Sequence, residues 1–172
     1  MRLDEHRAAF ERLLRTYLAP LRRLSWAYAR EPSDREDLLQ EVALALWTAL
    51  PGFRGDASER TWLYRVAHNT AIGFMTRRRR REKHEAPGEA LERVAAGANP
   101  ERSAIDTQQR ERLWAAVREL AMPDRQVVIL HLEGLSVADI EAVTGLSAGS
   151  IATRLTRIRH KLAASIQKGQ EP

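Results

Sequence analysis

The 172-residue chain contains no cysteine, which excludes disulfide frames, thiolate metal sites and thiol nucleophiles together. No apolar run reaches membrane-spanning length, so membrane insertion is not expected. Met1 to Phe10 carries charges throughout instead of the apolar core of a secretion signal, which predicts an intracellular, cytoplasmic protein. Sustained period-two alternation is missing, which argues against strands. A glycine-rich phosphate loop and a nucleophile elbow are both absent. The five histidines, His6, His68, His84, His131 and His160, show no ligand spacing with carboxylates. No catalytic residue, metal site or cofactor is expected. Lysine is scarce, at Lys83, Lys161 and Lys168 only, so the basic charge is almost all arginine.

That charge is abundant and unevenly placed. Lys and Arg number 28 against 23 Asp and Glu, a net +5 that suits a polyanionic partner without requiring one. Residues 1–81 carry net +6, residues 82–107 net −3 and residues 108–172 net +2. The acidic middle also holds Pro87, Gly88, Gly97 and Pro100 and lacks a strong apolar stripe. It reads as a flexible linker between two small helical domains, an all-α organisation.

The C-terminal part has the clearest local pattern. Ser136 followed by Asp139 is a capping-box spacing that opens a short helix to about Val143. Gly145 follows, where a tight turn needs positive φ. Ser147 then caps a second helix with Ile151, Leu155, Ile158 and Leu162 at helical spacing. Its other face carries Ser150, Thr153, Arg154 and Arg157. This is a helix-turn-helix, the arrangement that seats a recognition helix in a DNA major groove. A helical hairpin with a solvated face has the same stripe. Upstream, helices are predicted over about Thr107 to Leu120 and Pro123 to Glu133. The second is too apolar all round to be solvated, and part of it should pack beneath the helix-turn-helix.

The N-terminal part predicts three or four helices. Glu5 to Ala29 is amphipathic, and Pro20 predicts a kink or break in it. Ser33 with Glu36 resembles a capped helix start, and that helix runs to about Leu50 before Pro51-Gly52. Asp37, Gln40 and Glu41 fall at i, i+3 and i+4, one acidic strip in an otherwise basic domain. Acids at a helix N-terminus also complement the helix dipole, so the strip has a structural explanation too. A small polar loop, Arg54, Gly55, Asp56, Ala57, Ser58, Glu59 and Arg60, precedes a third helix that starts near Arg60 or Thr61 and ends in the Arg77–Arg81 run. Taken alone, this is an ordinary surface loop. Arg65, His68 and Asn69 fall at i, i+3 and i+4 and are expected to form one polar face. The arginine run suits phosphates, and equally a helix C-terminus stabilised by cations.

Four segments in order carry a family resemblance: Asp37-Leu38-Leu39-Gln40-Glu41-Val42 with Leu46-Trp47; Phe53-Arg54-Gly55 with Thr61-Trp62-Leu63-Tyr64-Arg65-Val66-Ala67-His68-Asn69; Arg77 to Arg81; and Leu120-Ala121-Met122-Pro123-Asp124-Arg125-Gln126 with Glu133-Gly134-Leu135-Ser136. With these the chain resembles a bacterial extracytoplasmic-function (ECF) sigma factor, a promoter-recognition subunit of RNA polymerase. The resemblance implies domains at 1–81 and 108–172 joined by 82–107. It implies no enzymatic activity, with core RNA polymerase and promoter DNA as partners and an anti-sigma factor as a further one it admits. Asp37, Leu38, Gln40 and Glu41 would dock on a basic coiled coil of the polymerase. Residues 54–60 would hold a flipped base of the −10 element, with Arg65, His68, Asn69, Arg77 and Arg78 along the strand. Ser150, Thr153, Arg154 and Arg157 would meet the −35 element. Glu82, Glu85, Glu89 and Glu92 would let the linker occupy a basic channel, or would merely solubilise a tether. A polymerase flap helix would rest on the C-terminal domain. Glu59, Gly73 and Ala152 depart from the family pattern, so promoter sequences of relatives do not transfer. The rival readings are a free-standing operator-binding regulator and a protein-binding adaptor. The acidic strip, and the absence of any ligand-pocket signal, argue against the regulator.

Overall fold

The computed structural model describes residues 3–84 and 103–168, all of whose regular elements are helical. The first part holds α1 (Leu3–Tyr28), α2 (Pro32–Ala49), a 3-10 turn (Leu50–Gly52) and α3 (Glu59–His84). The second holds α4 (Ser103–Arg118), α5 (Met122–Leu132), α6 (Val137–Thr144) and α7 (Ala148–Lys168). Glu85, Glu89 and Glu92 lie outside the described residues, whereas Glu82 belongs to α3, where it pairs with Arg78 at 2.9 Å. Helix α3 thus runs on through Lys83 and His84, and α4 begins at Ser103. Among the described residues, no helix is long and apolar enough to cross a membrane.

Helix ends follow local chemistry with two corrections. Helix α2 starts at Pro32 with Glu31 as N-cap, and no side chain caps it. The Ser33 cap expected from sequence is therefore not formed. Proline at the first helical position has its φ already set and no N–H to satisfy, so it starts the helix ahead of the serine. Pro20 does not interrupt α1, which stays helical through it. Losing one backbone bond there is offset by the burial of Leu13, Leu21 and Leu24, each worth about 1.5–3 kcal/mol.

Helix α2 packs on α1 and α3, burying Leu38, Val42 and Leu46 against Leu63, Tyr64 and Ala67. In the second part α7 lies across α4, α5 and α6, packing its Ile151 and Ile158 over Val127, Val128 and Ile140. The parts also meet directly, α1 against α4 and α5, and α3 against α6. Arg125, itself buried, donates to the carbonyls of Arg118 and Leu120 at the end of α4, and its cation lies 5.7 Å from the centre of the Tyr28 ring. Arg118 in turn donates to the Trp26 carbonyl at 2.8 Å.

Beneath this junction sits a polar pair. The Tyr28 hydroxyl and His68 Nδ1 are 2.8 Å apart, both residues fully buried, and among the described residues His68 Nε2 has no hydrogen-bond partner. His68 therefore belongs to the core and not to a solvent-facing strip with Arg65 and Asn69, both of which are exposed. The reason is helical phase: His68 follows Tyr64 and precedes Ala71 on the stripe that α1 covers. Burial pushes its pKa from 6.5 down to about 3. The unfolded chain then binds a proton that the folded chain refuses, so stability falls as pH drops through the window between those values. His68 is expected to remove about 2 kcal/mol of stability between pH 7 and pH 5, before carboxylates titrate appreciably. Urea unfolding at the two pH values checks this. His68→Gln should lower stability at pH 7 and flatten the difference.

Candidate nucleic-acid interface

The helix-turn-helix is built as its sequence requires. The Ser136 hydroxyl accepts from Asp139 N at 3.1 Å, and the Asp139 carboxylate accepts from Ser136 N at 3.3 Å. Gly145 closes α6 at φ 73°, a left-handed conformation that a side chain would strain. Ser147 Oγ accepts from Ser150 N at 3.4 Å, at the start of α7.

Helix α7 buries Ile151 and Ile158 and exposes Ala152, Thr153, Thr156 and Arg157. Thr153 and Arg157 therefore lie on the open face of α7. Ser150 and Arg154 do not share that open face. Both are half-buried, and Arg154 donates to Ser150 Oγ at 3.3 Å and to Asp124 Oδ1 at 2.6 Å. Thr156 shares the open face with Thr153 and Arg157. It lies three positions after Thr153, opposite Ile151 and Ile158, and helical spacing alone was enough to find it.

The loop before α3 is less open than its composition suggests. Arg54, Gly55 and Asp56 are exposed, with Gly55 at φ 83°, and Ala57 is half-buried. The Ser58 hydroxyl is occupied: it accepts from Thr61 N at 3.0 Å and contacts Thr61 Oγ1 at 2.7 Å. Glu59, which opens α3, takes Arg12 of α1 through both oxygens, at 3.1 and 2.5 Å. That pair gives the departure at position 59 a structural reason.

From Arg60 onward, α3 is tied to the second part. Arg60 donates to the Glu133 carbonyl, Thr61 to Asp139 at 2.8 Å, and Arg65 to the Ala142 carbonyl at 2.8 Å. The Glu133 carboxylate, only 7% exposed, accepts from Arg23 at 2.6 and 2.7 Å and from Tyr64 at 3.1 Å. Hydrogen bonds from Ser136 and Thr61 hold the Asp139 carboxyl below the usual carboxylate range. One surface thus joins the start of α3 to the α5–α6 shoulder.

On α2 the exposed face is Asp37, Gln40 and Leu44, the last 65% exposed. Glu41 is half-buried and pairs with Arg77, as Asp34 pairs with Arg78. Leu38 is fully buried and has no surface to offer to the polymerase contact that the resemblance implies for it. Leu44 is the apolar side chain on the open face, two helical turns on from Asp37. The sequence signal was there, because 37, 40 and 44 are in phase whereas 38 is in phase with the buried Val42. Among the described residues, no group of three or more His, Asp or Glu is placed to hold a metal.

Two sequence patterns match this architecture. Residues 13–81 match Sigma-70 region 2, and residues 110–162 match Sigma-70, region 4. A region 2 followed by a helix-turn-helix region 4 defines the Sigma-70 class. The chain is 30% identical over 146 residues to the ECF RNA polymerase sigma-E factor of Escherichia coli strain K12, covering 78% of this chain and 74% of the relative. It is 31% identical over 158 residues to the ECF RNA polymerase sigma factor SigM of Mycobacterium tuberculosis, covering 91% and 76%. The fold is shared with the sigma factor RpoE in complex with the anti-sigma factor NepR from Bartonella quintana, at TM-score 0.72 and 24% identity over 92% of this chain and 97% of that one. It is shared as well with CnrH in complex with the cytosolic domain of CnrY, at TM-score 0.69 and 22% identity over 96% and 91%. The chain belongs to the ECF sigma factors, non-enzymatic subunits of RNA polymerase that direct promoter-specific transcription initiation.

Removing the Glu133 carboxylate strands Tyr64 and Arg23 at the junction. Because Arg23 is 47% exposed, solvent screens its share, and Glu133→Ala is expected to weaken the contact by about 1–2 kcal/mol. Hydrogen exchange should rise at the start of α3 and along α6 while α2 stays protected. Unchanged exchange at both would show that the carboxylate does not hold the parts together.

Proposed function

We propose a division of labour along this chain: residues 1–81 dock on core polymerase and capture the −10 element, residues 108–172 bind the −35 element, and residues 82–107 link them. The observation that carries it is the open face of α7, where Thr153, Thr156 and Arg157 stand clear of the core on a capped helix-turn-helix. Arginine pairs with guanine edges or phosphates, and the threonines reach either. The −10 contacts are Arg54, Gly55 and Asp56 at the loop with Arg60, Arg65 and Asn69 on α3, and the exposed arginines 79–81 beyond them follow phosphates. Work as a polymerase subunit puts the protein in the cytoplasm. One relative of the same fold is complexed with an anti-sigma factor. A regulator of that kind is a further partner in this reading.

The bonds of Arg60 and Arg65 to the α5–α6 shoulder set an order of events. Helix α6 packs against α3 at these residues and covers this side of it, so capture of the −10 strand takes place with the two parts separated.

Run-off transcription with purified core polymerase on fragments of the source genome tests the reading. Promoter-specific initiation is the expected result. Duplex binding without initiation would mean an operator-binding regulator, and neither would mean an adaptor. On α2, Leu44→Ala should leave stability within about 0.5 kcal/mol and weaken binding to core polymerase, as should Asp37→Lys. Leu38→Ala should instead destabilise the fold by about 2–5 kcal/mol. Polymerase affinity measured beside thermal unfolding separates the two effects, and full affinity in both surface variants would remove α2 from the docking site.

A further inference from the structure

Asp124 sits in the first turn of α5, and its side chain is 1% exposed. Two arginines of α7 converge on it. Arg154 reaches Oδ1 at 2.6 Å, and Arg157 bridges both oxygens from Nη2 at 2.7 and 2.8 Å. Burial by itself would raise the Asp124 pKa, but the hydrogen bonds from Arg154 and Arg157 outweigh it and hold the carboxyl below its ordinary value. One carboxylate against two guanidiniums leaves the cluster with a net positive charge.

The two arginines are not equivalent. The Arg154 side chain is 25% exposed and also bonds Ser150, so it ties α7 to α5. The Arg157 side chain is 50% exposed, and among the described residues it bonds through Nη2 alone, so Nε and Nη1 keep their N–H groups for a partner. A long flexible arginine loses rotamer entropy on meeting DNA, and one already held by a buried carboxylate loses less.

We propose that Asp124 is a positioning residue for −35 recognition: it never touches DNA, but it fixes where the Arg157 guanidinium stands relative to the base edges. The inference rests on the −35 reading above and deepens it. It also assigns Arg154 to holding α7 in register and leaves the base or phosphate contact to Arg157 with Thr153 and Thr156.

A merely structural Asp124 would lower all binding together. A positioning Asp124 sets the discrimination between sequences, because phosphate attraction does not need an oriented guanidinium. Removing its charge makes the face more positive, so non-specific binding should hold or rise.

The test uses holoenzyme assembled from core polymerase and the full chain, with a randomised duplex DNA pool as probe. Wild-type holoenzyme should enrich a sequence from the pool. Enrichment of none overturns the −35 reading and this inference with it. On the enriched duplex against a scrambled one, Asp124→Asn should lower the affinity ratio about tenfold while binding to the scrambled duplex holds or rises. Asp124→Glu keeps the charge but moves the carboxylate by one methylene. It should fold and lose about threefold in the ratio, confined to one or two base positions, and it decides the matter should Asp124→Asn fail to fold. Wild-type ratios in whichever variants fold would overturn the positioning role alone. So would an equal loss on both duplexes, which would reduce Asp124 to a strut of the fold.

Discussion

The arrangement of this molecule depends on one nearly buried carboxylate, Glu133, at the end of α5. It accepts two bonds from Arg23 and one from Tyr64, while its own carbonyl takes Arg60. These three residues come from the first part of the chain and Glu133 from the second. A buried carboxylate without such partners is strongly disfavoured, so the two parts approach in the one way that satisfies it. The neighbouring bonds of Thr61 to Asp139 and of Arg65 to the Ala142 carbonyl extend the same surface.

The arginine-rich composition has a consistent use. Guanidiniums at the rims of helices find carboxylates on other helices: Arg12 with Glu59, Arg35 with Glu111, Arg77 with Glu41, Arg78 with Asp34. The more open of these, Arg12 with Glu59 and Arg77 with Glu41, contribute roughly 0–1 kcal/mol each and are readily exchanged for phosphates. Glu133 and Asp124 differ because their carboxylates are withdrawn from water. The exchangeable pairs suit a surface that meets nucleic acid or polymerase, and the withdrawn ones determine geometry.

Legibility in the sequence tracked how local each interaction is. The capping box of Ser136 and Asp139, the left-handed Gly145 and the Ser147 cap were readable because their partners lie within four residues. The helix-turn-helix and the all-helical class follow from them. Ser33 was misread because the Pro32 beside it is a stronger start. Helical phase buries Leu38 and His68 and half-buries Ser150 and Arg154. Chemical type suggested a surface role for His68, Ser150 and Arg154, whereas their positions on the helix turned them inward. Leu44 and Thr156 illustrate the opposite case, an apolar residue and a small one that the same phase leaves on an exposed face.

The sequence by itself determined the elements, their order, the helix-turn-helix and the family, because each depends on neighbours a few residues apart or on motifs in register. Only the tertiary structure decided that Glu133 binds Arg23 and Tyr64, that Asp124 gathers Arg154 and Arg157, and that the start of α3 is covered by α6. Those contacts join residues 30 to 110 positions apart. Any of 28 cations and 23 anions can pair on paper. Burial selects the pairs, and burial exists only once the helices have packed.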